Sequence, residues 1–559
     1  MTKETTVELT PVEGIKQRSN YLRGTIVDSL ADAPTGALAE DDTQLSKFHG
    51  FYQQDDRDIR NERLRQKLEP SYSFMIRVRV PGGIATPAQW LALDKLAREY
   101  GNSTLRLTTR QAFQLHGVTK GNLKKTISGI NDCLLDTIAA CGDVNRNVMC
   151  SPLAGQSAIH RAAYATATAI SEHLTPQTRA YHEIWLDGEK IEGTVDVEPI
   201  YGATYLPRKF KIAVAIPPSN DVDIFSQDLG FIAIEKNGEL IGFNVTAGGG
   251  MGMTHGEAET YPRVADVIGF CTLSQAVEVA EHVVALQRDF GDRSNRKHAR
   301  LKYTIDDHGL AWFREELFRR LGYPLPGPRK FAFVSRGDQF GWSSNLSGQW
   351  DLSLFIPEGR IKNDTQHRLL EGLREVARIH KGDFRLTANQ NLIISGIDSN
   401  ARQTIERLID YYGIAKLQQV SPLRQQALAC VALPSCALAM AEAERYLPEL
   451  IEKIETLLNR HDLIDEAITL RITGCANGCA RPYLAEIGLV GKAPGRYNLF
   501  LGGSTDGRRL NRLAHENLDE DRILEVLDGL LAQFVAARRD QESFGDFANR
   551  VYAPLADKS

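Results

Sequence analysis

LRLTTRQAFQLHG, from Leu105 to Gly117, and FRLTANQNLIISG, from Phe384 to Gly396, are nearly the same stretch written twice in a chain of 559 residues. Each alternates apolar and polar residues, the two-residue period of a strand with one face on a core. In the first copy Arg106, Thr108, Arg110, Ala112, Gln114 and His116 share one face, and Leu105, Leu107, Phe113 and Leu115 lie on the other. The second copy keeps Arg385, Thr387, Asn389 and Asn391 but has no match for Arg110 or His116.

The match extends upstream. A strand ending in Pro-x-Gly precedes each copy (Pro81 to Gly83, Pro357 to Gly359), and a helical segment lies between (AQWLALDKLAREYG, RLLEGLREVARIHKG). Strand, helix and strand in the same order twice argue for duplication. The chain also exceeds what one hydrophobic core fills. We therefore expect residues 74–140 plus 340–414 to form duplicated half-domains and 141–339 a first mixed α/β domain. Residues 415–559 would be a second α/β domain, and 1–73, polar with the run DDRDIRNERLRQKLE, an extension over a surface rather than part of a core.

Composition excludes several classes. With 42% apolar and 25% charged residues the chain is ordinary globular, and a net charge of -5 gives no general attraction for nucleic acid or an anionic membrane. There is no apolar run long enough to span a bilayer and no signal-peptide pattern, so a cytoplasmic protein is expected. Eight cysteines are too few for a disulfide scaffold. Four of them cluster as Cys430 with Cys436 and Cys475 with Cys479. Paired thiolates suit an iron–sulfur cluster or zinc; the five-residue gap is long for zinc and favours the cluster. Gly474, Asn477 and Gly478 fit a backbone folded close around a bulky group.

Basic residues recur on otherwise apolar strands: Arg77 in FMIRVRVPGG, Lys209 and Lys211 in YLPRKFKIAVAIP, and Arg146 in DVNRNVMC. Such cations need anions to face. A metal-stabilised nucleic-acid-binding protein would set them on phosphates, but no aromatics interleave with them and the net charge opposes it.

These residues carry a resemblance. From SNYLRGT and FHGFYQQDDRDIR through LRLTTRQ, NRNV, YLPRKFK, GDFRLTANQN and both cysteine pairs to GKAPGRYNL and FGDF, the chain resembles the sirohaem and 4Fe-4S sulfite and nitrite reductase family. The resemblance implies an α+β fold of two pseudo-symmetric modules closing around a sirohaem and a 4Fe-4S cluster. Cys430, Cys436, Cys475 and Cys479 would hold the cluster, with Cys479 also ligating the sirohaem iron. Arg106, Thr108, Arg110, Gln114 and His116 would face the sirohaem carboxylates, with Arg300, Asn477 and the run Gly248 to Gly250 nearby. Arg77, Arg146, Lys209 and Lys211 would bind sulfite. Nitrite reduction is the alternative within the family; Arg146 favours sulfite, because the nitrite enzymes tend to carry Asn there. Ala437 and Ala476 depart from the proline common after these cysteines, which bears on loop rigidity. No G-x-G-x-x-G follows a strand, so electrons would come from a separate protein, a flavoprotein reductase subunit or alternatively a ferredoxin, with the N-terminal extension as a docking element.

Overall fold

The repeated stretches fold as hairpins, not as single strands. In the computed structural model, which describes residues 8–153, 157–189 and 196–556, Leu105–Leu107 pairs antiparallel with Phe113–Val118, Arg106 standing opposite Gln114. The chain reverses between them. Thr108 Oγ1 accepts the N–H groups of Arg110 and Ala112, each at 3.2 Å, and Gln111 takes a left-handed φ of 49°. That conformation costs a non-glycine residue about 1–2 kcal/mol. The Gln111 amide repays it by donating to the carbonyls of Cys150 (2.8 Å) and Leu386 (2.9 Å). In the second copy Thr387 Oγ1 accepts from Asn389 and Asn391, and Gln390, at φ 68°, donates to the Ala429 carbonyl at 3.0 Å.

The two halves are interlocked. The first five-stranded sheet runs Phe51–Asp55, Tyr72–Val78, Phe113–Val118, Leu105–Leu107, Arg360–Ile361; the second runs Gly341–Ser344, Trp350–Leu354, Leu392–Ile397, Asp383–Leu386, Ile84–Ala85. The short strand after each Pro-x-Gly thus completes the sheet of the other half. Gly83 and Gly359 permit the crossing. A Cβ on Gly83 would lie 2.7 Å from the Leu386 carbonyl oxygen, and one on Gly359 2.4 Å from that of Leu107. Above the sheets, helices Pro87–Tyr100 and Leu369–Ile379 pack together, tied by Arg374 to Asp94 at 2.7 Å.

Each half continues into an α/β unit of one topology. Met149–Cys150, Ile212–Ala215 and Leu229–Lys236 are parallel neighbours, followed antiparallel by Glu239–Ala247 and Asp266–Cys271. Leu428–Ala429, Leu470–Thr473 and Ile487–Ala493 repeat the parallel set, followed by Arg496–Leu501 and Arg512–Leu518. The duplication therefore covers whole modules.

The reading of residues 1–73 as a surface extension is corrected. Ile15, Leu22, Ile26, Leu45, Phe48 and Phe51 are buried in the main hydrophobic core, and Phe51–Asp55 is the outer strand of the first sheet. The stretch looks polar because its apolar residues are widely spaced, each filling a separate gap. Among the described residues no helix is long and apolar enough to cross a membrane.

Candidate active site

The cysteines sit on two loops that close on each other. Cys430 follows the strand Leu428–Ala429, and Cys475 follows Leu470–Thr473. The Gly474 N–H points at Cys430 Sγ (3.3 Å), while Met440 and Ala441 donate to the Gly474 carbonyl at 2.7 and 3.1 Å. Glycine is required there: a Cβ would lie 2.6 Å from the Ala441 carbonyl oxygen. Asn477 Nδ2 stands 3.8 Å from Cys475 Sγ. Burial, and after it the neighbouring Cys479, raises the Cys430 thiol well above its usual range and pushes Cys475 up to about 11. Ionised together, the four sulfurs would repel one another, so the site calls for a cationic centre that displaces their protons. Among the described residues no three His, Cys, Asp or Glu side chains converge closely enough for a single metal ion. The five-residue gap between Cys430 and Cys436 suits a 4Fe-4S cluster better than zinc.

Opposite these loops lies a concentration of positive charge. Arg77 projects from Tyr72–Val78 and donates to Cys141 Sγ at 2.9 Å. With the Gln114 amide oriented by its surroundings, the Gln114 oxygen accepts from Arg77 Nε and Nη2 at 3.1 and 2.6 Å. Arg146 is buried, and its Nε donates to the Gly142 carbonyl at 2.9 Å. Arg146, Arg208, Lys209 and Lys211 form no ion pair among the described residues. Lys209 and Lys211 lie deep in the protein yet keep accessible surface, as side chains lining an internal cleft do. Burial and then the Arg208 and Arg300 guanidinium groups bring Lys209 down to about 7, and burial with Lys209 and Arg300 holds Lys211 well below the usual lysine range. An anion between them would offset this repulsion and keep both ammonium groups charged.

The remaining expected residues divide. Arg110 reaches toward the same cations. Its Nη atoms donate to Gln227 Oε1 (2.8 Å) and the Ile212 carbonyl (2.7 Å), and its buried Nε has no partner among the described residues. Burial, relieved in part by Asp228, lowers it to about 9. His116 Nε2 stands 3.3 Å from the Gln114 amide, and burial followed by Arg360, Arg106 and Arg77 keeps the ring neutral. Thr108 serves its hairpin turn. Arg106 pairs with Glu444 at 3.0 Å and donates to the Ala429 carbonyl at 3.0 Å, so it braces the chain next to Cys430. Arg300 is held by Asp228, with two contacts of 2.7 Å, beneath the glycine run; a Cβ on Gly250 would lie 2.9 Å from its guanidinium. That run leads to the cysteine loop, where Met253 N–H donates to the Ala476 carbonyl at 3.0 Å.

Sequence reasoning missed four neighbours. Arg208 was hidden by the alternation that singled out Lys209 and Lys211. Lys302 ties down the glycine run through the carbonyls of Gly250 (3.1 Å), Gly252 (2.7 Å) and Tyr261. Tyr52 and Cys141 adjoin Arg77 and Arg146, and nothing in their local sequence marks them.

An orphaned arginine nitrogen, uncompensated cations in a cleft and four spaced thiols beside them fit a polycarboxylate tetrapyrrole lying against an iron–sulfur cluster. They define a sirohaem and 4Fe-4S oxidoreductase built on a duplicated ferredoxin-like scaffold. Family comparison agrees: residues 65–132 and 347–410 match the nitrite/sulfite reductase ferredoxin-like half domain, and residues 165–325 the nitrite and sulphite reductase 4Fe-4S domain. The chain belongs to the nitrite and sulfite reductase family. It is 59% identical over 543 residues to the sulfite reductase (NADPH) hemoprotein beta-component of Myxococcus xanthus, covering 97% of this chain and 96% of that protein. The protein of the same name from Geobacillus kaustophilus is 58% identical over 544 residues, with 97% and 95% covered. The solved structure of the Mycobacterium tuberculosis NirA protein superposes with a TM-score of 0.79 at 26% identity, over 97% of this chain and 96% of that one. The matched 4Fe-4S span lies in the first α/β unit, which holds none of the four cysteines; they sit in the second unit of like topology.

Proposed function

We propose that the chain reduces sulfite to sulfide with six electrons; Cys430, Cys436, Cys475 and Cys479 would hold the cluster, and Cys479 would also help to hold the sirohaem. The bound groups would supply one-electron redox chemistry and a centre at which sulfite is reduced. The protein's own part is electrostatic. Arg77, Arg146, Lys209 and Lys211 would grip the sulfite oxygens by charge-assisted hydrogen bonds and hold the dianion where water would otherwise solvate it. Lys209, poised near neutrality, is suited to release a proton as each oxygen leaves as water and to recover it from solvent. Arg110, Gln114 and His116 would orient the macrocycle carboxylates, and Asn477 would steady the Cys475 sulfur.

The observation that carries this reading is the set of uncompensated cations facing Cys479, whose charge also acts on Arg77 and Lys209. The test uses purified, sirohaem-loaded protein. Its visible spectrum should show coupled sirohaem and cluster bands that change on adding sulfite, and six equivalents of reduced methyl viologen should be consumed per sulfide formed. Nitrite turnover with no sulfide from sulfite would overturn it. The named relatives are beta-components of NADPH-linked sulfite reductases, and we propose that a separate flavoprotein oxidises NADPH and passes the electrons to this chain, in the cytoplasm.

A further inference from the structure

Residues 251–262 form a loop between the glycine run and Arg263, and Gly250 and Arg263 close its neck by exchanging N–H donors at 2.8 and 2.9 Å. The loop lies on the cysteine turn of the other module. Met253 N–H donates to the Ala476 carbonyl (3.0 Å), and His255 Nε2 stands 3.1 Å from the Gly491 carbonyl. A Cβ on Gly478 would lie 3.0 Å from the Met251 carbonyl oxygen. Met251 belongs to one apolar cluster with Ala476, Tyr483, Leu484 and Val490, and Met253 packs against it. The two methionines cover the turn between Cys475 and Cys479 with apolar surface.

Lys302, on the helix Leu301–His308, pins that neck. Its fully buried side chain donates to the carbonyls of Gly250 (3.1 Å) and Gly252 (2.7 Å) on the outgoing arm and to that of Tyr261 on the returning arm. The Tyr303 ring centroid lies 4.6 Å from Nζ, and no carboxylate pairs with the lysine among the described residues. Three carbonyls around one nitrogen need three N–H donors, so the geometry calls for the ammonium form. Burial, and after it the Arg300 guanidinium, oppose that charge and bring the group down to about 6; the carbonyl dipoles and an anionic cluster nearby would support it. The pin also aims the next peptide group. In a trans peptide the carbonyl and the following N–H point opposite ways, so a Gly252 carbonyl turned to Lys302 turns Met253 N–H to Ala476.

The duplication supplies a comparison. Gly248 N–H donates to the Asp228 carbonyl at 2.9 Å and Gly502 N–H to that of Glu486 at 3.1 Å, so the loop after Gly502 is the counterpart. It too reaches the opposite module, where Asn220 Nδ2 donates to the Asp506 carbonyl at 2.9 Å. The turn it meets, Pro217 to Asp223, carries no cysteine. That loop is stitched by its own side chains, Ser504 Oγ donating to Asp506 Oδ1 (2.7 Å) and Arg509 Nε to the Gly502 carbonyl (2.9 Å). The buried lysine belongs to the loop that lies on cysteines. We propose that Lys302 is a positioning residue for the iron–sulfur cluster: it holds Met251 and Met253 against the Cys475–Cys479 turn, which keeps water from the cluster and sets its potential. The inference rests on the reading of these cysteines as cluster ligands.

The experiment uses protein loaded with sirohaem and cluster, kept free of oxygen, with excess bathophenanthroline disulfonate as the probe of cluster iron. Lys302→Met should release that iron about tenfold faster or more, with faster amide exchange in residues 251–262. Lys302→Gln, which keeps two N–H donors, should fall between the two and decides the matter if Lys302→Met does not accumulate in loaded form. Met253→Ser leaves the pin in place. It should also speed iron release and should raise the midpoint potential of the cluster in a redox titration, because water favours the more negatively charged reduced state. Release at the unaltered rate in the lysine variants would overturn the proposal. So would faster exchange of the loop with unchanged release, since the loop would then shield nothing. An unchanged potential and release rate in Met253→Ser would overturn it equally. Unaltered protein that holds no cluster iron would instead refute the reading of the cysteines beneath it.

Discussion

Asp223 and Arg481 hold equivalent places in the two modules and pair with each other across the pseudo-two-fold axis. Each precedes a single 3-10 turn that leads into the third strand of its α/β sheet, and each is left-handed, Asp223 at φ 46° and Arg481 at φ 55°. Arg481 Nε lies 2.5 Å from Asp223 Oδ2, and Arg471 Nη1 2.6 Å from the same oxygen. Arg481 also donates to the carbonyls of Thr109 (3.0 Å) and Ala388 (2.8 Å), one in each repeated hairpin turn. One ion pair thus joins both α/β units and both hairpins, two residues from Cys479.

Asp223→Asn should therefore cost stability, about 3–5 kcal/mol if it behaves like other broken buried pairs. Burial alone would raise the Asp223 carboxyl, but Arg471, Arg481 and Arg336 overcome it and hold the group well below its ordinary range. A depressed carboxyl stabilises the fold fully above the unfolded aspartate value of about 3.9, and that contribution fades as pH falls further. Urea unfolding of the two proteins should differ most at neutral pH and converge in acid. A difference that stays constant down to pH 3 would mean that the charge of Asp223 is not what matters.

Cys479→Ser should disturb sirohaem and cluster together, because one sulfur is proposed to serve both. Iron content, sirohaem extraction and the visible spectrum read the loss. Cys133→Ser is the control: Cys133 lies outside the cysteine loops, its thiol turned to the Ile130 carbonyl at 3.1 Å. Full iron and full sirohaem with an unchanged spectrum in the Cys479 variant would remove the bridging role.

The duplication and the cysteine pairs were legible because they are local patterns. The hairpins were not. The alternation of polar and apolar residues runs straight through Thr108–Ala112, and the turn uses a threonine oxygen and a left-handed glutamine in place of glycine, proline or asparagine signals. Arg106 shows the other limit. Its face was read correctly, opposite Gln114, but its partner Glu444 lies more than three hundred residues away and no periodicity can bring it near. The exchange of Ile84–Ala85 and Arg360–Ile361 between halves is equally non-local, although the Pro-x-Gly before each strand marked where it happens.

Arg146→Asn should separate the two substrates of the family. Among the described residues Arg146 has no carboxylate partner to release, so its charge is available to an oxyanion. Losing a charge-assisted hydrogen bond costs about 1.5–3 kcal/mol, roughly ten- to a hundredfold in kcat/KM. Sulfite turnover should fall by that factor and nitrite turnover far less, both measured with reduced methyl viologen. Equal losses would leave Arg146 without a role in selectivity.

The last prediction concerns Lys16, in the part of the chain that reads as a loose extension. Its ammonium is buried, donates to the Leu206 carbonyl at 2.7 Å and pairs with Glu13 at 2.5 Å, while Asp143 stands 3.7 Å away. Glu13 in turn holds Arg293, which donates to the Tyr205 carbonyl at 2.6 Å, and Asp143 holds Arg296 at 2.8 Å. Leu206 lies three residues before Lys209, and Asp143 three before Arg146. The network fixes the backbone from which both cations project. Removing residues 1–60 should then abolish folding, because it also removes Phe51 and the outer strand, so truncation cannot isolate a docking role. A point change can isolate the positioning role. Lys16→Met, close in length but without the charge, should raise the KM for sulfite about tenfold or more and leave kcat with methyl viologen within a factor of a few. Sirohaem content should not change. An unaltered KM in a fully loaded variant would show that the Leu206 carbonyl does not need the lysine to keep Lys209 in place.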